Sequence, residues 1–152
     1  MKKYTSSAIK PLALITVLCF SVLMIGIILI FIDIPIIGVD IGLIMLGGLT
    51  GIIFLTGYLA EKSRVLTIDE EKIIFPKGIE INGKIAFSKT VVKFSEISHI
   101  ETKLHKGDKI TTKDTYFYTL KLKNNTTLTV TLYSFGKEAE KEIFEILYKN
   151  IK

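Results

Sequence analysis

Two patterns of apolar residues divide the chain. From Pro11 to Ile32, and again from Ile41 to Ala60, no charged residue interrupts the run. A bilayer core of about 30 Å needs ~20 helical residues at 1.5 Å rise, so each run predicts a transmembrane helix. Leu, Ile, Val and Phe each favour the centre of such a helix by roughly 0.3–0.6 kcal/mol, and stretches such as Ile25–Ile32 hold little else. The connection, residues 33–40, reads Asp-Ile-Pro-Ile-Ile-Gly-Val-Asp. Pro35 breaks helical continuity and an aspartate at each end puts charge at the membrane edge, so the pair predicts an antiparallel hairpin.

After residue 60 the period changes from helical to two. Arg64–Ile68 and Lys72–Phe75 flank Asp69-Glu70-Glu71, a hairpin pattern. Ile79–Ile81 and Lys84–Phe87 flank Asn82-Gly83, whose residues tolerate positive φ and give a strong short hairpin signal. Val91–Phe94 and Ile97–Leu104 follow, with Ser95-Glu96 as a bend. Tyr116, Tyr118, Leu120 and Leu122 then alternate with Thr119, Lys121 and Lys123. Across Asn124-Asn125, Leu128, Val130 and Leu132 alternate with threonines. From Lys137 the period returns to helical: Ala139, Ile143, Ile146, Leu147 and Ile151 form one stripe, with Ser134 as the expected cap. The expectation is about seven antiparallel strands, curled into a barrel or sandwich and covered by one C-terminal helix.

Charge sharpens the boundary. Of 20 Lys and Arg and 15 Asp and Glu, only Lys2, Lys3, Lys10, Asp33 and Asp40 precede residue 61. The chain therefore divides into a basic N-terminus (1–10), a hairpin (11–60: helices 11–32 and 41–60, turn 33–40) and a soluble domain (61–152). Lysines precede the first helix, and Lys62 and Arg64 follow the second, while the turn has no Lys or Arg. The positive-inside rule then places the N-terminus and the soluble domain in the cytoplasm and the turn outside. The first run is longer than a signal-peptide core and no Ala-x-Ala-like site follows it, so it is expected to stay. Cys19 is the single cysteine, and Leu18 stands where a lipoprotein signal needs a small residue; a buried apolar cysteine is expected. Both signs of charge mix through the soluble part, without the basic stripe that a nucleic-acid partner requires.

Three stretches carry a family resemblance: Val65-Leu66-Thr67-Ile68-Asp69-Glu70-Glu71-Lys72-Ile73-Ile74, then Val92 to Glu101, then Tyr118 to Asn125 with Phe135 and the closing helix. Their order resembles the pleckstrin-homology-like (PH-like) domains of bacterial membrane proteins, in which one or two membrane helices precede the domain. The resemblance implies a barrel of about seven strands closed by a C-terminal helix, and a scaffold for binding without catalytic residues to carry over.

Little in the residues points to chemistry. His99 and His105, six apart on one expected strand, share a face but lack a third metal ligand, so no metal or cofactor is expected. Ser95, Glu96, Ser98 and His99 offer hydroxyls beside a carboxylate or imidazole, but adjacent strand residues point to opposite faces and form no triad. No membrane residue is charged, which removes the usual machinery of a pump or transporter. Two features point to contacts. Lys103, Lys106, Lys109 and Lys113 cluster in one loop, able to meet anionic lipid or a partner. Gly38/Gly42 and Gly47/Gly51 have the small-xxx-small spacing of closely packed helices, within the hairpin or in a homo-oligomer. The expected function is therefore non-enzymatic, membrane-anchored binding or scaffolding, with the bilayer and a protein or anionic surface as partners. Resemblance extends this to bacteriocin self-immunity; the alternative is an accessory subunit of a membrane complex such as an exporter.

Overall fold

The protein was analysed as a computed structural model, which describes residues 1–32, 38–107 and 114–151. It divides into two compact units, one of residues 8–62 and one combining residues 1–7 with 63–152.

The first unit is a helical hairpin of α1 (Ile9–Phe31) and α2 (Val39–Ser63). Both are long and apolar enough to cross a membrane. They overrun the apolar runs 11–32 and 41–60 because Pro11 falls in the first turn of α1, where backbone N–H groups lack helical partners anyway, and Glu61 and Lys62 are good helix formers. Hydroxyls inside the helices are satisfied locally: Thr16 donates to the Leu12 carbonyl at 2.8 Å, Ser21 to Val17 at 3.0 Å and Thr50 to Leu46.

Close approach of the helices rests on glycine, though not on every glycine the spacing suggests. A Cβ at Gly47 would stand 2.5 Å from the Leu23 backbone nitrogen and 2.7 Å from the Cys19 carbonyl oxygen, so backbone meets backbone there. One at Gly51 would touch the Phe20 ring at 3.4 Å. A Cβ at Gly26 of α1, absent from the spacing pattern, would stand 2.9 Å from the Asp40 carbonyl oxygen. Among the described residues nothing lies within 4 Å of an added carbon at Gly38 or Gly42, so neither marks a close approach within the hairpin there. Gly38 instead has φ +97°, which suits glycine on conformational grounds alone. The remainder of the turn, residues 33–37, lies outside the described residues.

The second unit contains two antiparallel sheets and a C-terminal helix. Its strands are β1 (Lys2–Thr5), β2 (Val65–Ile68), β3 (Lys72–Phe75), β4 (Glu80–Ile81), β5 (Lys84–Ile85), β6 (Thr90–Lys93), β7 (Ile97–His105), β8 (Thr115–Leu122) and β9 (Thr127–Thr131). One sheet runs β1-β2-β3-β6, the other β5-β4-β9-β8-β7. The arrangement is an open sandwich of nine strands among the described residues, where the resemblance implied a closed barrel of about seven. The expected hairpin around Asn82-Gly83 is present as two strands of two residues each. Asn82 (φ 53°) and Gly83 (φ 74°) turn there, and the Asn82 side chain bridges to β9, donating to Thr127 O at 3.0 Å and accepting from Thr129 N at 2.7 Å.

β1 is the main departure from expectation. Residues 1–10 read as a basic tail, yet Lys2–Thr5 pair antiparallel with β2 in the register Lys2↔Ile68 to Thr5↔Val65. Tyr4 buries its ring in the core, and Lys2 Nζ reaches Glu142 of the final helix at 2.6 Å. The hairpin is thus inserted between two paired strands of one folded unit.

The core follows from period two. Leu66 and Ile68, Ile73 and Phe75, Tyr118 and Leu120 alternate inward. α3 (Lys137–Asn150) adds Ile143 and Leu147, both fully buried. Each such residue contributes about 1.5–3 kcal/mol by leaving water. Ser134 does not cap α3. It lies in a 3-10 turn, Tyr133–Phe135, and its carbonyl accepts from Ser7 N at 2.8 Å, leaving Gly136 at the cap with φ +86°.

If β1 is integral to the sandwich, Tyr4→Ala lowers the stability of this unit by about 3 kcal/mol, as for other aromatic truncations in a core. The check is a urea titration of the full chain in detergent, followed by hydrogen exchange at the β2 amides. An unchanged midpoint means that the N-terminal strand is dispensable.

Candidate functional site

The inner face of the β7–β8 ladder runs past the end of the core. Paired positions along it are Ile100↔Leu120, Thr102↔Tyr118 and Leu104↔Tyr116. The first pair is buried, Tyr118 is still buried, and Leu104 and Tyr116 emerge into solvent. The register carries this face outward because Ser98 is bulged between Ile97 and His99, its hydroxyl donating to Lys121 O at 2.8 Å. α3 walls one side of the exposed stretch. The result is a groove of about 530 Å³, with Leu104, Tyr116, Tyr118, Tyr133 and Phe144 as apolar lining and Lys137, Lys141 and Asp114 among its polar groups. Its open neighbour is the outer edge of β7, which pairs only with β8 among the described residues.

Aromatic rings continue from floor to wall. Tyr116 and Tyr118 lie 6.4 Å apart, Tyr118 and Phe144 5.3 Å, and Phe144 and Tyr148 6.0 Å, all tilted by 34–38°. Such spacing suits mutual packing of rings and leaves their outer faces for an apolar ligand.

One acid sits in this apolar setting. Glu140 is 8% exposed, and its Oε1 accepts the Tyr118 hydroxyl at 3.1 Å. Burial pushes its carboxyl above the usual range, opposed by the Tyr118 hydrogen bond and the Lys137 charge. Burial likewise raises Tyr118, and the Glu140 charge adds to the effect. The signal was present in the sequence: Glu140 precedes Ile143 by three and Leu147 by seven, which places it on the apolar stripe of α3.

Of the lysines named from sequence, Lys103 and Lys106 do not line this groove. Lys103 is exposed on β7 opposite Phe117, and Lys106 is exposed just beyond the strand. Lys109 and Lys113 lie outside the described residues. Gly107 N donates to Asp114 Oδ1 at 3.0 Å, joining the two ends of that loop. His99 and His105 pair with Lys121 and Thr115 respectively, and the His105 ring meets Phe117 edge-on at 6.0 Å. Among the described residues, no three His, Cys, Asp or Glu side chains gather as metal ligands.

Comparison with protein-family models, with curated proteins and with solved structures gave no match. The functional reading therefore rests on the geometry of the site.

The buried acid sets a pH dependence. A carboxyl whose folded pKa lies above its unfolded value destabilises the fold once it ionises, so its cost is absent below about pH 4.5 and complete above the folded pKa. Glu140→Gln is therefore expected to raise the midpoint of denaturant unfolding at pH 7, with the gain vanishing toward pH 4. A gain that persists at pH 4 would show that ionisation is not its cause.

Proposed function

We propose that the chain is a non-enzymatic, membrane-anchored binding module, whose second unit is a PH-like domain offering the β7–α3 groove to a protein partner. The observation that carries this reading is the insertion of the hairpin between β1 and β2. A hairpin that crosses the bilayer and returns brings both ends out on one side, where both join the same sandwich. Chain connections are short: Ser6 to Ala8 lead from β1 to α1, and Arg64 alone separates α2 from β2. The module is thereby held at the membrane by two covalent links.

Support for the PH-like reading comes from two antiparallel sheets followed by a helix that completes their core with Ile143 and Leu147. Support for a protein partner comes from the groove beside a free strand edge. An extended segment can hydrogen-bond along β7 and lay alternate side chains against Leu104, Tyr116 and Phe144. Lys2, Lys3, Lys10, Lys62 and Arg64 flank the helices on the sandwich side, which favours a cytoplasmic location for this unit.

Two measurements test the proposal. Benzoylphenylalanine at Leu104 or Tyr133 is expected to form a discrete photoadduct in native membranes, lost when Tyr116→Asp is added, while the same probe at Glu70 forms none. Equal adducts from Glu70, or none from Leu104, overturn the groove as the binding surface. For orientation, in a Cys19→Ser background, Val39→Cys is expected to react with an impermeant maleimide in intact cells and Ser95→Cys only after lysis. The reverse pattern refutes the cytoplasmic placement.

A further inference from the structure

Phe87 is the most exposed large apolar side chain among the described residues, at 96%, and Ile85, two positions earlier, is 64% exposed. Isolated exposed apolar residues are ordinary on a protein surface. This pair is set apart by its neighbours and its place in the fold. Lys84 and Lys89 bracket it and Lys77 lies on the preceding turn, all exposed; Glu80, opposite Ile85 in the register, is the acidic residue of the segment.

Registers within the second unit locate the loop. Thr5 pairs with Val65, so this end of the first sheet is where the chain leaves for α1 and returns from α2. β3 runs antiparallel to β2 and finishes at this same end with Phe75, and Thr90 of β6 pairs with Phe75. A Cβ at Gly78 would lie 2.8 Å from Arg64 Nε, and Gly78 N donates to the Ala86 carbonyl at 2.7 Å. Arg64 directly follows Ser63, the last residue of α2. Residues 87–89 are therefore held between Ala86 and Thr90 at the end of the sandwich tied to the hairpin. Two strand spacings, about 10 Å, separate β6 from β2.

We propose that this loop is a lipid-contact element: Phe87 and Ile85 enter the interfacial layer of an anionic bilayer, and Lys77, Lys84 and Lys89 lie among its head groups. Aromatic rings favour that layer, and each lysine near an anionic surface strengthens docking roughly fivefold. The inference rests on the membrane-anchored reading and adds a third attachment, independent of the two covalent links. It concerns a different loop from the one bearing Lys103 and Lys106.

The chain has no tryptophan, so a single one reports without background. Full-length Phe87→Trp is reconstituted in vesicles of phosphatidylcholine and phosphatidylglycerol carrying shallow brominated lipid. Ile52→Trp, on α2, reports insertion, and Glu70→Trp, in the turn at the opposite end of β2 and β3, reports the solvent-facing side. The expected result is quenching and a blue shift at positions 52 and 87 and neither at 70, with Lys84→Ser/Lys89→Ser reducing quenching at 87. Quenching at 52 but not at 87 overturns the loop proposal and leaves the anchor standing. Absence of quenching at 52 overturns the anchor itself, and equal quenching at 70 and 87 overturns a contact specific to this loop.

Discussion

The antiparallel pairing of β1 with β2 is the constraint on which the rest of the molecule depends. Four residues at the N-terminus pair with four that follow the second helix, and the whole hairpin lies between them in sequence. Closing a loop of this length carries an entropic cost that rises only slowly with the number of residues. A hairpin that folds on its own reduces it further by bringing its two ends together. Gly47 is central to that, since its backbone contact with Leu23 and Cys19 requires the missing side chain. Packing of the helices and completion of the first sheet are in this sense one problem, solved in two units.

The second sheet has a different constraint. Its inner face is longer than the core it covers, because α3 walls the end of β7 and β8 at Leu104 and Tyr116 without covering it. The same alternation that buries Ile100 and Leu120 therefore leaves Leu104 and Tyr116 facing water at the far end. A core that ends before its strands do leaves a groove without any special machinery to build it. Glu140 sits at the transition, on the stripe that buries Ile143 and Leu147 yet within reach of Tyr118.

Much of this was legible in the residues, for reasons that differ by element. The helices were legible because an uncharged run of sufficient length has few alternatives. β2, β3, β8 and β9 were legible from alternation and turn residues; Asn82 and Asn125 do adopt positive φ where the hairpins turn. β1 was not, because Lys-Lys-Tyr-Thr buries only its tyrosine and finds its partner some sixty residues away, beyond any local period. Nor was the division into two sheets, since strand pairing between distant segments leaves no mark on the spacing within each. The glycines divided in the same way: spacing marks Gly38, Gly42, Gly47 and Gly51 alike, but only the second pair faces α1 closely. The groove could be read only in part. Tyr116 and Tyr118 visibly share a face, but which of them α3 covers is decided by packing.

An acid on a buried stripe bears on the proposed role. Replacing Glu140 by a leucine would continue the pattern of Ile143 and Leu147, and the raised pKa marks the carboxylate as unfavourable where it stands. Local rules are broken most often where a site has a use beyond folding. The Tyr118 hydrogen bond offsets part of the cost by giving the carboxylate a donor, and it also fixes both side chains beside the groove. A ligand cation or backbone N–H reaching the remaining carboxylate oxygen would offset more. Under the proposed reading, the side chains of a segment along β7 would meet the aromatic lining of the groove that Glu140 also lines. Glu140 and the aromatic lining in one groove are the reason for proposing a partner-binding role there, with the loop at Phe87 proposed for the bilayer.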